Sequence, residues 1–169
     1  MITIETLRLY LREFREEDAT GMYLLNNDED VIRFTEDRPF VSLEEAASLI
    51  RNYDQYSKYH CGRLTVLLKN TGEYAGWCGL KYDEDANETN LGFRFMKSLW
   101  NNGYATEAAI ACIDYGFSKL KTGRITGRVL RENTASVKVL QKAGLQYWKD
   151  EMFHDRQGLV YKIENPDWR

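Results

Sequence analysis

At 169 residues and a formal net charge of −3, the chain has the length of one domain, and its 43% apolar residues suffice for a single core. So small an acidic balance leaves no surplus of cations for a phosphate backbone, which excludes nucleic acid as the main partner. No apolar run approaches the ~20 residues of a membrane span, and the N-terminus lacks the basic flank and apolar run of a signal peptide, so a cytoplasmic protein with no membrane partner is expected.

Residues 2–14 read as one strand, because Leu7, Leu9 and Leu11 alternate with Arg8, Tyr10 and Arg12. The acidic run Arg15-Glu16-Glu17-Asp18 suits a helix N-terminus, with Met22, Leu24 and Leu25 as its apolar side. Beyond Asn26-Asn27-Asp28 the chain reads as short helix or coil to Pro39. A capping box, Ser42-Leu43-Glu44-Glu45, then opens a helix predicted over 43–59. Tyr53, Tyr56 and Tyr59 fall on one face of it and read as core cover rather than as the rim of a pocket.

From Gly62 the period changes to two. Strands over 63–68, 74–82 and 89–95 form an antiparallel meander, turning first at Asn70-Thr71-Gly72. Gly76 and Gly79 within the second strand imply the close approach of a neighbouring backbone or of a substrate. After Phe95 comes the loop Leu99-Trp100-Asn101-Asn102-Gly103-Tyr104, and Ala105-Thr106-Glu107-Ala108-Ala109 continues it as helix. That helix carries Ala109, Ile110, Ile113, Phe117 and Leu120 on an apolar side, with Gly116 as a small packing site. A strand over 125–130, a helix over 134–142 capped by Asn133 and stopped by Gly144, and strands over 145–153 and 158–163 complete the chain.

Cys61, Cys78 and Cys112 are odd in number and, with His60 and His154 the only histidines, offer no metal-ligand spacing; they read as buried reduced thiols. A loop that breaks into a helix leaves its first N–H groups without intrahelical partners, and these with the helix dipole favour an anion. The 99–104 loop is therefore a candidate phosphate cradle. It is not a Walker loop, since Tyr104-Ala105-Thr106 follows Gly103 where Lys and Ser or Thr are needed. Nor is it a dinucleotide fingerprint, since Gly103 stands alone.

The loop instead resembles the acyl-CoA pyrophosphate loop of the GNAT N-acetyltransferases, Gln/Arg-x-x-Gly-x-Gly/Ala. Gly103 and Ala105 hold the small-residue positions and Trp100 stands in place of Gln or Arg. Trp-x-x-Gly-Tyr-Ala-Thr-Glu-Ala and the opening phrase Thr6-Leu7-Arg8-Leu9-Tyr10-Leu11-Arg12 are similar to the RimJ/RimL-like branch. A second stretch, Asn133-Thr134-Ala135-Ser136 followed by Lys142-Ala143-Gly144-Leu145, resembles that branch's Asn-x-x-Ser and Lys-x-Gly-Phe motif, ~30 residues downstream as required.

The resemblance implies an α+β GNAT fold over residues 1–169, with a mostly antiparallel sheet that splays at the cofactor and helices on both faces. It implies acetyl-CoA as co-substrate, its arm bonded near Phe93 and Phe95, its pyrophosphate on the amides of Asn101, Asn102, Gly103, Tyr104, Ala105 and Thr106, and Asn133 on the far side. Asn133 reads equally as a plain helix cap. The reaction implied is direct acetyl transfer to a primary amine, with Ser136 as the acid toward the leaving thiolate.

Two departures from the superfamily stand out: Leu140 replaces the usual tyrosine acid, and Asn90 the usual carboxylate. A general base must then come from Glu88, Asp155, His154 or water. Without a strong base, a protein N-terminal α-amine suits the site better than a lysine-like amine, a polyamine or another small amine. The same departures motivate the alternative of a non-catalytic acyl-CoA-binding module. The oligomeric state is left open between monomer and homodimer.

Overall fold

The computed structural model describes residues 1–168. In chain order they form β1 (Thr3–Glu5), β2 (Leu9–Arg12), α1 (Ala19–Asn26), α2 (Glu29–Ile32), α3 (Leu43–Arg51) and α4 (Gln55–Tyr59). There follow β3 (Arg63–Leu68), β4 (Tyr74–Asp83), β5 (Glu88–Phe95), α5 (Tyr104–Ser118), β6 (Arg124–Leu130), α6 (Thr134–Lys142), β7 (Gln146–Phe153) and β8 (Arg156–Glu164). One eight-stranded sheet runs β1-β2-β3-β4-β5-β6-β8-β7, antiparallel throughout except for β5 against β6. This is the mixed α+β arrangement expected.

The β5–β6 contact positions everything else. The two strands pair only at Thr89↔Ile125, Asn90↔Thr126 and Leu91↔Gly127. Beyond Leu91 they part, β5 continuing to Phe95 against β4 and β6 continuing to Leu130 against β8. A wedge opens between them, and α5 and α6 begin beside it.

Helix α5 covers one face of the sheet with Ala108, Ala109, Cys112, Ile113 and Gly116, all buried. Ile110, expected on that side, is 42% exposed; it lies two residues beyond Ala108, about 200° around the helix. On the other face Arg12 reaches Asp18 at 2.8 Å, both 4% exposed, and Thr65 Oγ1 donates to the same carboxylate at 2.7 Å. This buried pair ties the turn before α1 to β2 and β3. The three cysteines are free and buried, as expected of reduced thiols.

Two predicted elements are broken in the structure. The strand over 2–14 is a hairpin, with Ile4 paired to Leu11. Thr6 makes the turn, its N–H donating to Leu9 O at 3.0 Å and its Oγ1 accepting from Leu9 N at 3.0 Å. Leu7 at its tip is therefore 89% exposed instead of joining Leu9 and Leu11 inside. The helix over 43–59 divides after Arg51, where Asn52 Nδ2 donates to Ser48 O at 2.9 Å. The division frees Tyr53 to accept Arg63 N–H at 2.7 Å and Tyr56 to accept Phe14 N–H at 3.0 Å. Tyr53 packs on both Phe14 and Tyr56 at 5.0 Å between ring centroids, and Tyr59 on Tyr82 at 5.0 Å. These rings cover the core. In β4, a Cβ at Gly76 would meet Arg94 O at 2.0 Å and one at Gly79 would meet Gly62 O at 2.1 Å. The close approach there is backbone, not ligand.

Candidate functional site

The loop between β5 and α5 takes its shape from two left-handed residues, Asn101 at φ 63° and Gly103 at φ 79°. Asparagine and glycine tolerate that region best. Among the described residues none accepts from the N–H groups of Asn101 to Thr106, and the first inward bond of α5 runs from Glu107 N to Gly103 O. Six successive donors thus remain free at the positive end of a fifteen-residue helix, a concave arrangement that favours an anion.

A brace from the first hairpin holds this loop. Arg8 Nη1 donates to Asn102 O at 2.8 Å, its Nε to Glu107 Oε2 at 2.6 Å, and its guanidinium lies 4.4 Å from the Tyr104 ring centre. Glu107 Oε1 also accepts from Thr6 Oγ1 at 2.6 Å and from Arg8 N at 2.8 Å. Burial pushes the Glu107 carboxyl up, but these donors outweigh it and hold it below the usual carboxylate range. Neither residue was identified from sequence as part of the site. The signal was split between two phrases 99 residues apart, each unremarkable in charge on its own. Trp100, in the expected Gln or Arg position, instead donates from Nε1 to Phe95 O at 2.9 Å and ties the loop to the end of β5.

The wedge and the loop enclose a cleft of about 580 Å³. Phe93, Phe95, Asn101, Gly103, Tyr104, Ala105, Thr106, Asn133 and Ser136 all line it. Asn102 does not; its Nδ2 donates to Leu99 O at 3.1 Å and Trp100 O at 3.0 Å, stabilising the turn from outside. Asn133 caps α6 by accepting Ser136 N–H at 3.2 Å while facing the cleft. Lys138 and Lys142, one turn apart on α6, line the cleft without a carboxylate partner among the described residues. Leu140 is core, 2% exposed.

The predicted bases lie elsewhere. Glu88 is 2.9 Å from Arg128 Nη2, His154 is 80% exposed and 3.0 Å from Glu36, and Asp155 is exposed in the β7–β8 turn. None of the three lines the cleft. The carboxylate that does is Asp30, paired with Lys97, whose hydrogen bond and charge pull it below its ordinary range. Asp30, Arg33, Phe34 and Thr35 form a wall that sequence reasoning left as short helix or coil, for α2 is four residues long and shows no period. Among the described residues no group of three or more His, Cys, Asp or Glu could hold a metal, and no helix is long and apolar enough to cross a membrane.

Residues 8–146 match the family model of the acetyltransferase (GNAT) domain. The chain is 31% identical over 157 residues to an uncharacterized N-acetyltransferase, p20, of Bacillus licheniformis, covering 92% of this chain and 87% of that one. Among solved structures, the ribosomal-protein-S5-alanine acetyltransferase of Vibrio fischeri superposes with a TM-score of 0.85 at 17% identity, covering all of both chains. The spermidine N-acetyltransferase of Vibrio cholerae, in complex with CoA and spermine, gives 0.81 at 18% identity, over 96% of this chain and 99% of that one. The structural likenesses establish the fold. With the family model spanning most of its length and the motif loop at the mouth of its splayed sheet, the chain belongs to the GNAT acetyltransferase family.

Proposed function

We propose that the chain, as one domain over residues 1–169 of the RimJ/RimL-like branch, transfers the acetyl group of acetyl-CoA to a primary amine in the cytoplasm. The run of six free N–H groups from Asn101 to Thr106 carries this reading. It suits a pyrophosphate, and Lys138 and Lys142 add two cations to the same cleft. Past Leu91 the wedge-facing edge of β5 has no strand partner, so an extended amide-bearing arm can bond there as an added strand would.

Acetyl-CoA supplies an acyl group already activated as a thioester. The remaining tasks fall to the protein: to orient the amine, exclude water and manage two protons. Ser136 lines the cleft beside Asn133, and in this reading its hydroxyl is the proton donor to the leaving sulfur. No unpaired carboxylate among the described residues lines the cleft to receive the ammonium proton. At pH 7 neutralising a lysine-like amine costs about 4.6 kcal/mol and an α-amine about 1 kcal/mol. An acceptor α-amine, as at a protein N-terminus, therefore needs the least help from the site, and water carries its proton away.

Thermal unfolding tests the reading. Acetyl-CoA at about a hundred times a micromolar dissociation constant should add about 2.7 kcal/mol to stability. Gly103→Glu, which forces a side chain into a left-handed position and a carboxylate into the cradle, should abolish the gain. No shift in the wild type would overturn the proposal. A shift without thiol release across a panel of amines would leave an acyl-CoA-binding module in its place.

A further inference from the structure

Arg63 stands at the point where the sheet parts, and no carboxylate answers it. Its side chain leaves β3, crosses β4 and ends over β5. Nη1 donates to Gly79 O at 2.6 Å and to Asn90 O at 2.9 Å, and Nη2 to Asn90 Oδ1 at 2.6 Å. A Cβ at Gly92 would stand 2.6 Å from both Cζ and Nη2, so a bare glycine is what admits the guanidinium. Gly92 is also the first residue of β5 beyond the last β5–β6 pair, Leu91↔Gly127. The cation therefore lies against the apex of the wedge, on the face of β5 that Asn90 and Gly92 share and that faces away from α5.

Every other arginine on this part of the sheet has its anion. Arg12 holds Asp18, Arg94 holds Asp37 at 2.8 Å, and Arg128 holds Glu88 at 2.9 Å and Glu151 at 3.0 Å. All three acceptors of Arg63 are neutral, and three of its five N–H donors are used. The remaining pair, Nε–H and one Nη2–H, point the same way and form the edge that grips a carboxylate bidentately. Burial works against this charge and pulls it below the ordinary guanidinium range. Its other partner is the Trp77 ring, 5.6 Å from Cζ, and neither the ring nor the three neutral acceptors brings the full negative charge that would balance it. Arg63, Asn90 and Gly92 are each half-buried rather than sealed in the core.

We propose that the acceptor is an amine that also carries a carboxylate, such as a peptide that begins with an acidic residue or an amino acid, and that the free Nε/Nη2 edge of Arg63 binds this carboxylate at the apex where β5 and β6 part. The inference rests on the acetyl-transfer reading and deepens it. An α-amine beside a carboxylate so held is placed next to the β5 segment assigned to the cofactor arm. The same cation repels a polyamine.

The test uses the full-length protein saturated with CoA, to which a panel of N-acetyl amino acids and their N-acetyl amides is added as product mimics. Binding is read by calorimetry. At least one carboxylate should bind tenfold or more tightly than its amide, and Arg63→Gln should remove that difference while leaving CoA affinity unchanged. Arg63→Lys, which keeps the charge without the fork, should fall between. Equal binding of acids and amides, or tighter binding of N-acetylspermidine, would overturn the proposal even where Arg63→Gln fails to fold. Absence of CoA binding in the wild type would instead remove the acetyl-transfer reading beneath it.

Discussion

Replacing Arg8 by Gln leaves Glu107 charged in the first turn of α5, beside the cradle, with its ion-pair partner gone. The Asn102 carbonyl also loses its donor, but it is exposed and water replaces the bond. The electrostatic part is larger. Two like charges roughly 8 Å apart repel by about 0.5 kcal/mol in water and about 2 kcal/mol at an effective dielectric constant near 20. A pyrophosphate with two charges would thus bind about 1–4 kcal/mol more weakly. Arg8 is 42% exposed and Glu107 18%, so solvent screening favours the lower half of that range, a loss of about five- to seventyfold. Calorimetric titration with CoA at low and high salt measures it. Glu107→Gln alone should bind CoA at least as tightly as the wild type. The double variant Arg8→Gln, Glu107→Gln should recover most of the affinity lost in the single one. A double variant as weak as Arg8→Gln would refute the charge argument, and unchanged affinity in Arg8→Gln would refute the brace itself. The same carboxyl sets a pH dependence. Because its folded value is lowered, its stabilisation is complete above the unfolded value of about 4.3 and is lost as pH falls through the folded value. The gap in thermal midpoint between wild type and Glu107→Gln should be widest at neutral pH and close in acid.

Ser136→Ala should lower kcat by about 10²-fold with little change in the KM for acetyl-CoA, as read by thiol release; a parallel rise in that KM would mark Ser136 as a binding residue instead. Leu140→Ala, at a buried site packed on Gly127, should destabilise the fold by about 2–5 kcal/mol in urea unfolding. Recovered Leu140→Ala protein should keep its affinity for CoA, because the side chain faces the core. Lys138→Gln with Lys142→Gln should weaken CoA binding and flatten its dependence on salt concentration, whereas equal salt slopes in variant and wild type would show that these cations do not meet the ligand's phosphates.

The cofactor side was legible in the sequence because its chemistry is carried by backbone. A left-handed Asn101 and Gly103, a run of helix formers and a capping Asn133 are local features, and they shape the cradle wherever the chain meets them. The elements that were misread depend on distant partners. The Thr6 turn exists because Thr6 and Arg8 close on Glu107, and the helix over 43–59 breaks because Tyr53 and Tyr56 serve the two backbone groups of Arg63. Alternation and capping describe what a segment prefers alone, and each of these preferences yielded to polar contacts made across the fold.

The acceptor side is built almost wholly of such contacts. Glu88, His154 and Asp155 were chosen as bases by residue type, yet Glu88 is held by Arg128 and His154 faces Glu36. Arg63 reads in sequence as the first residue of a strand and nothing more, since its acceptors come from β4 and β5. Charge that is paired in the folded protein is no longer available for chemistry, and charge that is left unpaired at some expense in desolvation points to a ligand. In this chain Glu88 is engaged and Asp155 lies outside the cleft, while the guanidinium at the apex of the wedge has no carboxylate. The acceptor is therefore better sought among amines that bring an anion with them than among those that require one from the protein.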